Sequence, residues 1–268
     1  MPYHKPPHIA AIAVESGVYK TSLGWARSSA LGVMAGAFIA LGFLLHIRIA
    51  AVFPDAWSGV GALAGAAVFP LGLILTLLAG GELLTGNMMA VPVARLAGKI
   101  STRQLLVNWA CVTAGNFLGA MLVAYLFGHV AGLTAAEPYM SQTAAIALHK
   151  LEDTFLQAFV SGIGCNWLVA LAVWLAYGAD DIAGKIAGIW FPTMAFVAIG
   201  FQHVVANMFV IPAAIFEGYA NWGDYVRNFI PVYLGNAVGG SLFVGTVYWF
   251  VYLRKPGSRS AAPGRRSA

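Results

Sequence analysis

The chain has 268 residues, of which 60% are apolar and 9% are charged, and its mean hydropathy is +0.77. A soluble domain of this length cannot carry so many apolar residues, so these values exclude one. The formal net charge of +5 follows from the membrane topology described below and needs no nucleic-acid partner. The sequence therefore predicts a polytopic, all-α membrane protein.

Six segments have the length and composition of membrane spans, which need about 20 apolar residues each. They are predicted at residues 28–47, 58–94, 104–128, 150–178, 185–216 and 226–253. The second and fifth are too long for one straight crossing, so each is predicted to consist of two half-helices joined by irregular backbone. Such backbone is tolerated in a bilayer only where protein or a water-filled cavity satisfies its polar groups.

The distribution of cations sets the expected topology. Most lysines and arginines fall on the side that holds the two termini, so the positive-inside rule places both termini in the cytoplasm of a protein of the inner (plasma) membrane. Residues 1–27 are expected to form a cytoplasmic N-terminal segment without a removable signal peptide. Residues 28–253 form a single transmembrane domain, and residues 254–268 a disordered basic tail.

An internal repeat relates the two broken spans. The segment GGELLTGNMM, from Gly80 to Met89, aligns without a gap with GFQHVVANMF, from Gly200 to Phe209. The same offset of 120 residues pairs Asn87 with Asn207, Pro92 with Pro212, Asn108 with Asn228, Gly115 with Gly235 and Asn116 with Asn236. The repeat halves cover about 20–128 and 150–253 and hold three spans each, which predicts an inverted 3+3 repeat with a solute pathway at mid-membrane.

Few polar residues lie at membrane depth in this arrangement. They are Glu82, Thr85, Asn87, Asn166, Gln202, His203 and Asn207, with Lys20 and Lys150 near the two mouths. Among the six histidines, only His203 lies in the middle of a predicted span, while His46, His129 and His149 lie at span ends. An ionisable residue in the middle of a span favours a functional role. The alternative is a neutral histidine that only holds the irregular backbone in place. Thr85 is expected to act as the N-cap of the second half-helix, with a second hydrogen bond to a solute or to His203. Glu82 and Asn87 are expected to brace the loop.

The two broken segments and the residues that precede them resemble those of a known family. GGELLTGNMM together with FQHVVANMF, preceded by VYKTS and LHKLEDTF, resembles the formate/nitrite transporter family of small-anion channels from about Gly17 to Tyr252. The resemblance implies an aquaporin-like fold of six spans per protomer. It also implies a homopentamer in which each protomer has its own pore.

The resemblance also implies roles for individual residues. His203 corresponds to the family's central pore histidine and Thr85 to its partner, while Asn166 and Asn207 match positions that line or brace the pathway. Lys20 and Lys150 correspond to two anion-attracting vestibule lysines. The hydrophobic constrictions fall on Phe69, Leu73, Leu84, Val169 and Phe196. The family commonly has Glu directly before the pore histidine, and this chain has Gln202 instead, so we expect proton coupling or pH gating to differ.

The function implied is the passage of a small monovalent weak-acid anion, formate first, with nitrite or hydrosulfide as alternatives. The lysines raise the local anion concentration, the apolar constriction opposes a naked anion, and His203, with an unperturbed pKa near ~6.5, donates a proton or stabilises charge. Whether the proton moves with the solute stays open. The expected partners are the anion, protons, membrane lipids and copies of the same chain.

Other classes of protein fit the sequence less well. An enzyme is not expected, since Gly-x-Ser-x-Gly, His-Glu-x-x-His and metal-ligand Cys/His patterns are missing from the sequence. No cofactor or metal is expected. A channel for a neutral solute or ammonium has a similar composition and stays open as an alternative, although the two lysines favour anions.

Overall fold

The computed structural model describes residues 3–254, and they form helices joined by short connections. The principal helices are α1 (Pro6–Ser22), α2 (Gly24–Ala50), α3 (Ser58–Val68), α4 (Leu71–Ile74), α5 (Leu84–Leu96), α6 (Thr102–Leu122), α7 (Tyr139–Glu152), α8 (Phe155–Gly178), α9 (Ile182–Ile199), α10 (Val204–Phe216), α11 (Trp222–Val238) and α12 (Val247–Tyr252). Wider π-helical turns continue α4 through Leu75–Gly80, α6 through Val123–Val130 and α11 through Gly239–Thr246. The fold is all-α, as the sequence predicts.

Six stretches are long and apolar enough to cross a membrane. They are Gly24–Ala50, Asp55–Gly80, Thr102–Val130, Phe155–Gly178, Ile182–Ile199 and Trp222–Tyr252. The short helix α5 follows the second stretch after three non-helical residues, at 81–83, and α10 follows the fifth after four, at 200–203. These two interruptions lie in the aligned segments of the sequence.

Two helices were not predicted from the sequence. The N-terminal segment 1–27 contains α1, which packs against α5, and residues 139–152 form α7, which packs against α10. The predicted fourth span, 150–178, is wrong at its start, because Asp153 has an extended backbone and Thr154 caps α8 with Gln157. Lys150 therefore lies on α7 rather than on a span. The predicted tail lies outside the described residues, except for Arg254.

The helix boundaries repeat at the offset found in the sequence. Helices α5 and α10 have 13 residues each and begin at Leu84 and Val204, which are 120 positions apart. Helices α6 and α11 begin after Ser101 and Asn221, again 120 positions apart, and both N-caps form a capping box with the residue three positions later. The local signals that begin these helices are thus repeated along with the apolar pattern.

Close helix contacts hold each interruption in place. On α6, a side chain at Gly115 would overlap Ser29 and Gly32 of α2, and on α11 a side chain at Gly235 would overlap Phe159 of α8. Residues without a side chain let the paired backbones approach, which is how helices associate in a bilayer. The pairs α2–α6 and α8–α11 therefore form two equivalent rigid walls, one beside each interruption.

Candidate functional site

Buried asparagines satisfy the backbone of the first interruption. Asn116 on α6 accepts a hydrogen bond from the backbone N–H of Leu84 at 2.9 Å and donates to the carbonyls of Glu82 and Gly32, both at 2.8 Å. Asn87 on α5 donates to Glu82 Oε2 at 2.7 Å and to Asn108 at 2.9 Å. The backbone N–H of Leu84 and the carbonyl of Glu82 are thus paired inside protein, which is the condition for irregular backbone at this depth.

The second interruption repeats this pattern residue by residue. Asn236 accepts from the N–H of Val204 at 2.9 Å and donates to the carbonyls of Gln202 at 3.0 Å and Gly162 at 2.8 Å. Asn207 donates to Gln202 Oε1 at 2.7 Å and to Asn228 at 2.9 Å. The two interruptions therefore have the same hydrogen-bonded frame, with Gln202 in the place of Glu82.

His203 and Thr85 meet between the two interruptions. His203 Nε2 lies 3.0 Å from Thr85 Oγ1, and the two side chains are 2% and 0% exposed. His203 is the N-cap of α10, and its Nδ1 accepts a hydrogen bond from the N–H of Ala206 at 3.0 Å. In a neutral imidazole one nitrogen accepts and the other donates, so this cap assigns the proton to Nε2, which donates to the Thr85 hydroxyl.

Thr85 does not have the capping role expected of it. The N-cap of α5 is Leu83, and Thr85 is the second residue of the helix. The N–H of Leu84 is satisfied instead by Asn116 from the neighbouring helix. The hydroxyl of Thr85 is therefore free of the backbone N–H groups at the helix start and contacts His203.

Apolar side chains surround this pair. Phe69, Leu73, Leu84, Val169 and Phe196 are all at most 2% exposed and belong to one hydrophobic cluster. The ring of Phe196 stacks on that of His203 with centroids 5.4 Å apart and meets Phe69 edge-on at 5.6 Å. The five residues proposed for the constriction thus belong to one buried apolar cluster, which contacts the histidine through Phe196.

A cavity leads from one face of the molecule to His203. Its volume is about 550 Å³, and it is lined by Lys150, His46, His149, Phe43, Phe196 and His203, among others. We call it the Lys150 cavity. Among residues 3–254, its lining contains three imidazoles and an ammonium and no carboxylate. Helix α2 has 27 residues, about 40 Å at 1.5 Å per residue, and His46 lies near its end while Lys20 precedes its start, so the two lysines are near opposite faces.

The other proposed residues brace the frame. Asn166 donates to the carbonyls of Thr85 at 3.2 Å and Asn236 at 2.7 Å, and Gln202 and Asn207 belong to the frame of the second interruption. Glu82 accepts from Lys20 at 2.9 Å as well as from Asn87.

Sequence reasoning gave no role to several residues of the site. The repeat aligned four asparagines whose role in bonding the two interruptions was not recognised, namely Asn108 with Asn228 and Asn116 with Asn236. Asparagines repeated at one offset within apolar segments were a sufficient signal for that role. His46 was set aside because it lies at the end of a span.

Comparison with known proteins identifies the family. Residues 7–250 match the family model of the formate/nitrite transporters. An uncharacterized transporter, YrhG, of Bacillus subtilis is 55% identical, over 97% of each chain. The formate channel BtFdhC of Bacillus thuringiensis is 52% identical over 95% of this chain and 98% of its own. A solved pentameric formate channel with formate bound superposes with a TM-score of 0.78 at 36% identity, over 86% of this chain and 98% of that one.

The chain belongs to the formate/nitrite transporter family. It is a multi-pass membrane protein, and the family is one of transporters and channels rather than enzymes.

Proposed function

We propose that this protein conducts formate across the membrane through a pore in each protomer, with His203 assisting by protonation or charge stabilisation. The single observation that carries the proposal is the hydrogen bond between His203 and Thr85 at the end of the Lys150 cavity. An ionisable ring at this depth is costly unless it is paired or hydrated, and its presence therefore favours a functional role. The choice of formate as the substrate is based on the relatives that are named formate channels.

The barrier to an anion lies in the apolar core around His203. A bare charge that leaves water for an apolar environment pays a large desolvation cost, whereas the uncharged acid pays far less. The closely packed rings of Phe69 and Phe196 provide such an environment. A group that neutralises the anion where it enters this core therefore lowers the barrier most effectively.

His203 is oriented for this task. Because Nδ1 is held by the N–H of Ala206, Nε2 is the ring atom directed at the other polar group of the centre, Thr85. For proton transfer the ring must first take up a proton at Nδ1, which gives up the hydrogen bond from Ala206. It then transfers its Nε2 proton to a carboxylate oxygen, which leaves the neutral acid and an imidazole protonated at Nδ1. Loss of the Nδ1 proton and uptake of one at Nε2 restore the resting ring. The Thr85 hydroxyl accepts from Nε2 and keeps its own hydrogen to donate to the anion.

We propose further that the chain assembles as a homopentamer with both termini in the cytoplasm and that the repeat halves are inverted. The pentamer is supported by the solved relative, a pentameric formate channel. Native mass spectrometry of the protein in detergent tests it, and a monomer would contradict it.

Nitrite and hydrosulfide are the second candidates, because they are also small weak-acid anions and the family name includes nitrite. A pore for a neutral solute or ammonium is less favoured, because the Lys150 cavity contains an ammonium and no carboxylate and so repels cations.

Flux of labelled formate into proteoliposomes, at two external pH values and against nitrite and hydrosulfide, tests the function. His203→Asn is the informative variant, because Asn is a good N-cap that keeps the bond to Ala206 but cannot be protonated. We expect slower formate flux with a weaker rise at acid pH. Thermal stability should fall modestly, because the Thr85 hydroxyl loses its partner and the stacking on Phe196 is lost. If this variant conducts formate at the wild-type rate with unchanged pH dependence, the proton role is ruled out. If liposomes that contain the wild-type protein take up formate no faster than empty liposomes, formate conduction is ruled out.

A further inference from the structure

The two lysines occupy equivalent positions in the repeated frame, although the sequence offset between them is not 120. The backbone carbonyl of Lys20 accepts a hydrogen bond from Asn108 at 3.3 Å, and that of Lys150 accepts one from Asn228 at 2.9 Å. Asn108 and Asn228 are repeat mates. The two ammonium groups can therefore be compared directly. A difference in their surroundings indicates a difference in how each lysine can bind an anion.

The surroundings differ by one carboxylate. Lys20 Nζ forms an ion pair with Glu82 Oε1 at 2.9 Å, with both side chains largely buried. The repeat mate of Glu82 is Gln202, whose amide donates to the carbonyl of Lys150 at 3.0 Å and to Asp153 Oδ2 at 2.7 Å. Within residues 3–254, no carboxylate lies within 4 Å of Lys150 Nζ, and its one hydrogen bond, to the carbonyl of Phe201, is long at 3.4 Å.

The free ammonium faces the path to the histidine. Lys150 and His203 line the same cavity, whose walls are mostly apolar, and a charge among apolar walls is screened less than one at an open surface. The smaller cleft that Lys20 lines, about 310 Å³, contains neither His203 nor Thr85. A small anion that reaches the Lys150 face thus meets an unpaired cation on its route, while on the other face the equivalent cation is already paired.

We propose that Gln202 makes the pore one-sided, because it leaves Lys150 free to bind an entering small monovalent anion, so that the pore saturates at lower anion concentration from the Lys150 face than from the Lys20 face. This inference rests on the proposed function. Net flux still vanishes at equal electrochemical potential, because a passive pore cannot shift an equilibrium. The asymmetry exists only in initial rates.

The direct test is the half-saturating formate concentration from each face, measured as initial flux in proteoliposomes of known orientation. For the wild type we expect roughly a three- to tenfold lower value from the Lys150 face, where tenfold corresponds to about 1.4 kcal/mol. Glu82→Gln removes the carboxylate that pairs with Lys20 and introduces the residue that the second half has at the matching position, Gln202. It should lower the half-saturating formate concentration at the Lys20 face alone.

Two further variants act on the other face. The double variant Asp153→Asn with Gln202→Glu moves the carboxylate next to Lys150 without changing the net charge. The hydrogen bond between positions 153 and 202 is kept with its direction reversed, because the new amide can donate to the new carboxylate. This variant should raise the half-saturating formate concentration at the Lys150 face alone. Lys150→Met, which needs no new hydrogen bond, should do the same if the double variant fails to fold. Equal half-saturation at both faces of the wild type, or equal shifts at both faces in the variants, would overturn the inference. Formate conduction that still depends on His203 would then stand without it.

Discussion

The hydrogen bond between Thr85 and His203 can be removed almost without a change of shape. Thr85→Val replaces the hydroxyl by a methyl group and leaves the Nε2–H of His203 without an acceptor. Both side chains are buried, at 0% and 2% exposure, so bulk water does not replace the lost partner. An unpaired buried donor costs about 1–3 kcal/mol, and we expect the variant to be destabilised by that amount.

Conduction should suffer more than stability. In the proposed mechanism the Thr85 hydroxyl donates to the anion at the centre, and a hydrogen bond to a charged group contributes about 1.5–3 kcal/mol. At about 1.4 kcal/mol per factor of ten, formate flux through Thr85→Val should fall roughly 10- to 100-fold. Thr85→Ser keeps the hydroxyl and should recover most of the flux.

The measurement combines labelled formate flux in proteoliposomes with thermal unfolding of the same preparations. Stability shows whether the protein is folded, and the comparison of Val with Ser separates the hydroxyl from the methyl group. Near-wild-type flux through the Val variant would refute the reasoning, and so would a Ser variant as slow as the Val variant, because packing rather than hydrogen bonding would then control the rate.

Three further predictions concern the frame and the cavity. Asn236→Leu leaves the N–H of Val204 and the carbonyl of Gln202 unpaired, so the free energy of unfolding should fall by about 2–6 kcal/mol, at about 1–3 kcal/mol for each group, as measured by chemical denaturation. Gly119→Ala places a methyl group on a backbone carbonyl of α2 and should lower the melting temperature, whereas Gly59→Ala, which meets open space, should not. Burial lowers the pKa of the Lys150 ammonium, against the opposing effects of its neighbours Cys165 and Asp153; its charge is therefore lost at a lower pH than that of an exposed lysine. Lys150→Arg stays charged, so its flux relative to the wild type should rise as the pH is raised on that face.

The positions of the two interruptions could be predicted because they depend on residues close in sequence. Gly80 and Gly200 both end their helices with the positive φ that glycine adopts readily, and the offset of 120 residues identifies the two ends as related. The helices α1 and α7 escaped prediction because neither is apolar enough to be a span. Their positions follow from packing against α5 and α10, which a hydropathy pattern does not report.

The roles within the site depended on contacts between distant residues. Thr85 was expected to cap α5, as a threonine near a helix start usually does. The helix instead begins one residue earlier, at Leu84, whose N–H bonds to Asn116, 32 positions away. The protonated nitrogen of His203 was equally beyond sequence reasoning, since it follows from where the cap places the ring. The sequence therefore predicts which residues are polar at mid-membrane, and the fold decides which of them face one another.

The divergence of the two halves gives the centre its chemistry. The asparagines of the repeated frame direct their amide hydrogens to backbone and to one another, so they have little capacity left for a solute. Where the repeat is broken, one half has Thr85 opposite Val205 and the other has His203 opposite Leu83. Each half thus contributes one polar side chain to the centre, and the two meet each other. A strictly symmetric repeat would place either two histidines or two threonines there. Two like rings would repel each other when protonated, and two hydroxyls would lack a group that titrates near neutral pH. In the proposed mechanism, the asymmetry is therefore what allows one proton-donating group to lie in a buried, paired position.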